Sequence, residues 1–451
     1  MSFALDRFRK GYVHFVGCAG VGTLPLARIF LENGFRVSGS DLAPTNAMRQ
    51  LNIPCFTGHS AEHLPPDDGA PLLLIHSSAA EPDNPEILAA KARRDHIILR
   101  RGSALAAVAG LYRRTVSVSG SHGKTSVSGM LAFLFQEAGL LPGYLVGGFL
   151  SAPGWAEKNG EAGQGNDLFI TEVDESDGTH TEMYSKIGIV TNVEDDHAWS
   201  VGGREQLFEN FKTYARKTER LIYVGSAECD RLFADHPSAR RLDPDLKKHA
   251  AALALFDPAA LKQWGRYQKL NALTALAAAE ELGDITPAEA AAILSRFPGV
   301  ERRMSVRYQS AEHLLIEDYA HHPTELRASL EALREVYPGK RLIVIFQPHR
   351  YARLERYFHE FAAELKKADK VFITPVFAAW TAGGKVDSSD LADAIGGDTA
   401  IAVSGSWAEI AKAAAGEIRS GDLAAVIGAG DVKDVIAPLT DLLTVQADGK
   451  E

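Results

Sequence analysis

Short runs of consecutive apolar residues alternate along the chain with longer stretches in which apolar positions recur at helical spacing. The short runs predict strands at 13–17, 72–76, 115–119, 168–171, 187–191 and 221–224, then at 314–317, 342–346, 371–374, 400–403 and 424–427. Apolar side chains on successive positions mark strands covered on both faces, the environment inside a parallel sheet. The longer stretches predict helices at 25–33, 127–137, 272–282, 323–337 and 354–367. Alternation of this kind implies right-handed β-α-β units and an α/β fold of doubly wound sheets.

Two joints divide the series. Arg113 and Arg114 precede a fresh strand that leads into a Gly-rich turn, and Phe297, Pro298 and Gly299 close an Ala-rich helical stretch. They predict three domains, 1–110, 111–298 and 299–451, in line with about 150 residues per domain. The segment 228–262 carries weak strand signals and several Asp and Pro residues.

Composition narrows the partners. A formal net charge of -10 argues against nucleic acid or an anionic membrane surface, so any bound phosphate must be held by local geometry. Cys18, Cys55 and Cys229 are too few and too scattered for a disulfide framework or a zinc site. No apolar stretch approaches the ~20 residues that span a bilayer, and the charged start of the chain does not resemble a secretory signal. A cytoplasmic protein, monomeric or homodimeric, is expected.

The strongest chemical pattern begins at residue 120. A predicted strand runs into Gly120, Ser121, His122, Gly123, Lys124, Thr125 and Ser126, and a predicted helix follows. Gly residues let backbone N–H groups turn toward a polyphosphate, and the helix N-terminus adds its dipole. Lys124 would neutralise the outer phosphates and the Thr125 hydroxyl can bind Mg²⁺. The spacing is shorter than the usual P-loop, so the flanking strand and helix carry the assignment. Two acidic clusters follow later predicted strands, Glu172 to Asp177 and Glu194 to Asp196 with His197. Carboxylates at the carboxyl ends of parallel strands face the ligand crevice of an open α/β sheet, where phosphoryl transfer needs hard oxygen ligands for its metal.

With these residues in view the chain resembles the Mur ligases over nearly its whole length. The resemblance rests on ordered blocks: HFVGCAGVG from His14, SGSD from Ser38, HSSA from His76, GSHGKTS from Gly120, EVDESD from Glu172 and TNVEDDH from Thr191. RYQKLN from Arg266, GVERR from Gly299, EDYAHHP from Glu317, QPHRYAR from Gln347 and GAGD from Gly428 complete the set. It implies a Rossmann-like N-terminal domain for a UDP-sugar, a central P-loop ATPase-like domain with a mostly parallel sheet, and a Rossmann-like C-terminal domain for an amino acid. The implied reaction is ATP-dependent ligation of L-alanine to UDP-N-acetylmuramate, with Mg²⁺ as cofactor. In this pattern the loop from Gly120 to Ser126, with Asn192, Asn271, Arg303 and Asp318, holds the nucleotide. Thr125, Glu172 and His197 bind metal, and Gly20, Gly22, Asp41 and Ser77 meet the UDP-sugar. Tyr319, His321, Arg350 and Arg353 meet the acyl and amino-acid substrates, while Lys124, His197, His321, Arg350 and Arg353 carry the catalysis.

The chain departs from the pattern in three places. Tyr267 replaces the family's usual His before Asn271, Trp380 and Thr381 replace a Gly-Glu pair, and the stretch 225–265 omits a strand-rich insertion. Two other functions fit part of the sequence. Gly17, Gly20 and Gly22 with Asp41 also suit a nicotinamide-dependent oxidoreductase, which leaves the phosphate loop without a task. A nucleotide-binding relative without turnover, or a Mur-type ligase for another amino acid or a peptide, would keep most of the blocks.

Overall fold

The computed structural model describes residues 5–77, 79–155, 157–196, 198–379 and 383–448, without the side chains of 447 and 448. The chain forms two compact units. The first comprises residues 1–258 and 270–298, the second residues 259–269 and 299–451.

The first unit contains two sheets. One holds five parallel strands, β1 (Tyr12–Val16), β2 (Val37–Asp41), β3 (Cys55–Thr57), β4 (Leu72–His76) and β5 (His96–Arg100), in the order β3-β2-β1-β4-β5. The other holds β6 (Arg114–Ser119), β7 (Gly143–Leu145), β8 (Gly160–Glu161), β9 (Leu168–Glu172), β10 (Ser185–Val190), β11 (Thr218–Val224) and β12 (Ala239–Leu242). Their order is β12-β11-β10-β6-β9-β7-β8, parallel throughout except for the short β8 at the edge. A large apolar core runs through this unit, from Phe8, Phe15 and Phe30 to Phe169, Phe211 and Tyr214, and a smaller one packs Val16, Leu72 and Leu74 against Ile87.

The second unit has a single sheet of β13 (Ser305–Gln309), β14 (Leu314–Asp318), β15 (Leu342–Phe346), β16 (Lys370–Ile373), β17 (Ala400–Ala402) and β18 (Leu423–Ile427). The order is β13-β14-β18-β15-β16-β17, with β13 antiparallel at one edge. Alternate residues of β15 enter different cores. Val344 and Phe346 pack with Leu330 and Phe361, while Ile343 and Ile345 pack with Ile410 and Leu439. This period of two on a fully buried strand is the physical origin of its unbroken apolar run.

Three predicted helices differ in extent, the one anticipated from 127 beginning already at Lys124. The helix anticipated from 272 begins at Arg266 and runs to Leu282. The one anticipated at 354–367 is two helices, Tyr351–Arg356 and Phe358–Leu365. They break at Tyr357 (φ −115°, ψ 27°), whose ring packs edge-on against His322 at 4.6 Å. The segment 228–262 holds the helix Ala227–Phe233, the edge strand β12 and short helical turns.

Sheet order places the chemistry. β6 lies between β9 and β10, so the loops after all three leave the same end side by side. β1 likewise lies between β2 and β4, and β18 lies between β14 and β15. No helix among the described residues is long and apolar enough to cross a membrane.

Candidate active site

The predicted phosphate loop, which begins at Gly120, joins β6 to the helix Lys124–Glu137. The chain turns through Gly120 (φ 131°) and Gly123 (φ 86°), conformations that residues with a Cβ rarely adopt. A Cβ on Gly120 would also collide with Thr191 Oγ1. The end of β10 grips the loop. Thr191 Oγ1 donates to His122 O at 2.6 Å, and the Asn192 carboxamide accepts from His122 N at 2.9 Å and donates to His122 O at 3.0 Å. Ser121 Oγ accepts from Glu194 N at 2.8 Å. Asn192 therefore braces the loop, and His122 is fixed through its backbone. The helix that follows has no side-chain cap at Gly123, so its first N–H groups open into the loop.

Lys124 folds back over this loop. Its Nζ donates to Gly120 O at 2.6 Å and to Glu175 Oε2 at 2.7 Å. Burial works against its charge, but Glu175, Asp174 and Glu172 nearby hold the ammonium above its usual range. Burial raises the Glu175 carboxyl to about 7 against the pull of Lys124. Next to the acidic loop, where its backbone N–H donates to Asp174 O at 3.3 Å, His180 is fully buried against Phe211 and Tyr214, and burial lowers it to about 4, so it is a neutral prop.

Glu172 ends β9. Its Oε2 is buried without a hydrogen-bond partner among the described residues, and its carboxylate lies so close to Gly147 that a Cβ there would collide with it. A buried, unengaged carboxylate oxygen next to a phosphate loop that carries the Thr125 hydroxyl fits a small, hard divalent cation. Asn271, on the helix Arg266–Leu282, stands beside the loop, its Oδ1 3.4 Å from where a Cβ of Gly123 would be. His197 lies outside the described residues, as do Trp380 and Thr381.

A cavity of about 340 Å³ joins the two sheets of the first unit. Its walls include Gly22, Thr23 and Ser77 from the first sheet's turns and Gly147, Glu172 and Asp174 from the second. Asp41 lies at the end of β2, where its carboxylate accepts from Ala19 N at 2.9 Å and Ala43 N at 3.0 Å. It shapes the turn that contains Gly20. Arg101, which no sequence pattern singled out, also borders the cavity.

In the second unit the carboxyl ends of β14 and β15 assemble a separate cluster. Asp318 accepts from Met304 N, Ala320 N and Ser329 Oγ at 2.8–2.9 Å, and burial raises its carboxyl against the pull of Arg303. Arg302 and Arg303 both lie over the Tyr319 ring, at 4.8 and 5.1 Å. His321 Nδ1 donates to Tyr319 O at 3.0 Å, which leaves Nε2 as the ring's acceptor, and burial lowers its pKa to about 4. Its ring meets His349, which stacks on Phe377 and contacts Arg353 through Nδ1 at 3.3 Å. Arg350 precedes the helix Tyr351–Arg356 at φ 68°, and its N–H donates to Phe377 O at 2.8 Å. A non-Gly residue held in that region is a strained position.

The two units thus gather the sequence-predicted residues into separate groups. Gly120 to Ser126, Glu172, Asn192 and Asn271 surround the phosphate loop, with Gly22 and Ser77 across the cavity. Arg303, Asp318, Tyr319, His321, Arg350 and Arg353 belong to the second unit. Glu175, Gly147 and His349 join them although sequence reasoning gave them no role. Glu175 and His349 lie inside motifs already noted, whereas Gly147 shows only in three dimensions.

Known proteins show the same organisation. Residues 12–113 match the Mur ligase family, catalytic domain; residues 118–256 match the Mur ligase middle domain; residues 302–430 match the Mur ligase, glutamate ligase domain. A UDP-N-acetylmuramate–L-alanine ligase of Anaeromyxobacter dehalogenans (strain 2CP-1) is 34% identical across 95% of this chain and 97% of its own. One of Bifidobacterium longum (strain NCC 2705) is 34% identical across 94% and 92%. The crystal structure of the UDP-N-acetylmuramate-alanine ligase of Thermotoga maritima covers 96% of this chain and 99% of its own. Its TM-score is 0.75 at 24% identity, a likeness of fold.

Proposed function

The chain belongs to the Mur ligase family, and from that premise we propose that it joins L-alanine to the carboxylate of UDP-N-acetylmuramate at the expense of ATP, a step of peptidoglycan precursor synthesis. The observation that carries the reading is the cavity whose walls combine Gly22 and Ser77 with Glu172 and Asp174. A UDP-sugar held by the first sheet's turns would there present its carboxylate to the phosphate loop.

Each residue group then has a task. The substrate carboxylate attacks the γ-phosphate, giving an acyl phosphate and ADP; the amine attacks the acyl carbon and phosphate leaves. The first step crowds negative charge, which the Lys124 ammonium and the loop N–H groups counter. Bound by Glu172 and Thr125, with His197 for a second ion, Mg²⁺ would supply further positive charge across the phosphates. Asn271 and Asp318 are assigned to the nucleotide by their place in the family pattern. Arg350 and Arg353 suit the amino-acid carboxylate, because a guanidinium matches it in a fork. The incoming amine must lose a proton; His321 Nε2, the ring's acceptor, would hold the amine by a hydrogen bond, while a pKa of about 4 makes it only a weak proton acceptor. The reading places the protein in the cytoplasm, as a monomer or homodimer.

The test is phosphate release from ATP and Mg²⁺ with UDP-N-acetylmuramate present and each amino acid added in turn. Release that requires both the UDP-sugar and L-alanine supports the proposal. Release with glycine or serine instead reassigns the amino acid, and no release with any amino acid refutes the ligase.

A further inference from the structure

The start of the helix Arg101–Ala109 is fastened to the acidic loop after β9. Ser103 Oγ donates to Glu182 Oε1 at 2.9 Å, and Arg100 donates to Glu182 Oε1 at 3.3 Å and Asp177 O at 3.4 Å. Gly102 packs so tightly on Thr179 that a Cβ would collide with its hydroxyl. This helix start is therefore fixed relative to Glu172 and Asp174, the acids of the cavity. Arg101 emerges from the joint. Its Nη2 donates to Asp177 Oδ2 at 3.2 Å, and its Nη1 lies 3.1 Å from where a Cβ of Gly22 would stand. Among the described residues that line the cavity it is the one cation, beside two carboxylates.

We propose that Arg101 positions the UDP-sugar by binding one of its oxyanions, the diphosphate or the carboxylate. An anionic substrate entering a cavity that holds Glu172 and Asp174 meets repulsion that a guanidinium lining the same cavity offsets. The Arg101–Asp177 pair is 23% and 29% exposed, and its bond is long, so it orients the guanidinium as a weak tether. Asp177 engages Nη2, and Nη1 faces the Gly-rich turn of the first sheet. Because the acidic loop and the helix start are bonded together, an oxyanion on Arg101 is registered against the phosphate loop. The inference rests on the ligase reading, and the two fail in different samples.

Arg101→Ala and Arg101→Lys are compared with the wild-type full chain in steady-state assays, with UDP-N-acetylmuramate and ATP varied separately. The expected result for Arg101→Ala is a rise of about 10- to 100-fold in KM for the UDP-sugar. KM for ATP stays within about 2-fold, and Arg101→Lys recovers part of the loss by keeping the charge without the fork. Calorimetric binding of UDP-N-acetylglucosamine, which has the diphosphate but no carboxylate, separates the sources. Weakening of both ligands assigns the diphosphate, and weakening of UDP-N-acetylmuramate alone assigns the carboxylate. An unchanged UDP-sugar KM in Arg101→Ala, or an equal rise in both KM values, overturns the proposal. A wild-type protein that neither binds nor turns over the UDP-sugar overturns the ligase reading and this inference with it.

Discussion

Glu175 Oε2 stands 2.7 Å from Lys124 Nζ, and the Glu175 side chain is fully buried. The pair fixes the one lysine of the phosphate loop before any nucleotide arrives. Removing the carboxylate leaves the partly buried ammonium with Gly120 O and the nearby Asp174 and Glu172, so the cost stays below the roughly 3–5 kcal/mol of a fully buried pair broken from one side. Glu175→Gln is therefore expected to lower stability by less than that amount in urea unfolding. Adding Lys124→Met to it should recover part of the loss, because the orphaned charge goes too. Equal stability of Glu175→Gln and wild type would show that the pair does not hold the loop.

Lys124→Ala tests the loop's chemistry. The variant loses the lysine's own bond to Gly120 O but keeps the bonds that Thr191, Asn192 and Glu194 make to the loop. Phosphate release is expected to fall by at least about 100- to 1000-fold, the scale for losing one charge-stabilising donor. Calorimetric binding of the UDP-sugar should change by less than about 2-fold. Full phosphate release from the variant would remove Lys124 from the reaction.

Gly147 and Glu172 are in close enough contact that any Cβ at 147 displaces the carboxylate. Gly147→Ala is thus expected to raise the Mg²⁺ concentration for half-maximal phosphate release by about 10- to 100-fold, as disturbing a ligand's support does. An unaltered Mg²⁺ requirement would mean that Glu172 does not bind the metal.

What the sequence shows of this molecule follows from where each signal lies. β15 and β18 are legible because every position is buried, so the apolar run has no gaps. β2 is buried too but reads as polar, because Ser38 and Ser40 turn toward His14, His59 and Glu86. β12 and β13 carry arginines and partly exposed positions as edge strands do, so their pattern is weak. The phosphate loop is legible because its residues are consecutive. Arg101 is not, since its role depends on Asp177, 76 residues away. The break at Tyr357 arises from packing on His322 and has no local breaker such as Pro or Gly. The family pattern names Asp318 and Asn192 as nucleotide residues, and the structure adds that each also braces backbone.

Arg350 already occupies φ 68°, so alanine at this position adds no backbone strain that the wild type lacks. The effect of Arg350→Ala then reports the guanidinium. ATP affinity is expected to stay within about 2-fold while KM for L-alanine rises about 10- to 100-fold, the scale of a charged hydrogen bond. Weakened ATP binding with normal ligation would refute the substrate role.

The first sheet holds a polar network that predicts how acid unfolds the protein. His14 Nε2 lies 2.9 Å from Glu86 Oε2, Ser40 Oγ donates to the same oxygen at 2.7 Å, and Ser60 N donates to Oε1 at 3.1 Å. Both side chains are fully buried. Burial opposes the Glu86 charge, but these donors prevail and lower its pKa from 4.5 to about 2. Burial also lowers His14 from 6.5. A group depressed in the folded state gives stability that is present above its unfolded value and lost as pH falls toward its folded value. Stability should therefore begin to fall below pH 6.5, as His14 protonates in the unfolded chain, and fall further from 4.5 to about 2 as Glu86 does. At about 1.4 kcal/mol per pKa unit the Glu86 part is of order 3 kcal/mol. Glu86→Gln is expected to be less stable at pH 7 and to lose the dependence between pH 4.5 and 2, read from urea midpoints across pH. Parallel curves for variant and wild type in that window would show that Glu86 is not what acid attacks.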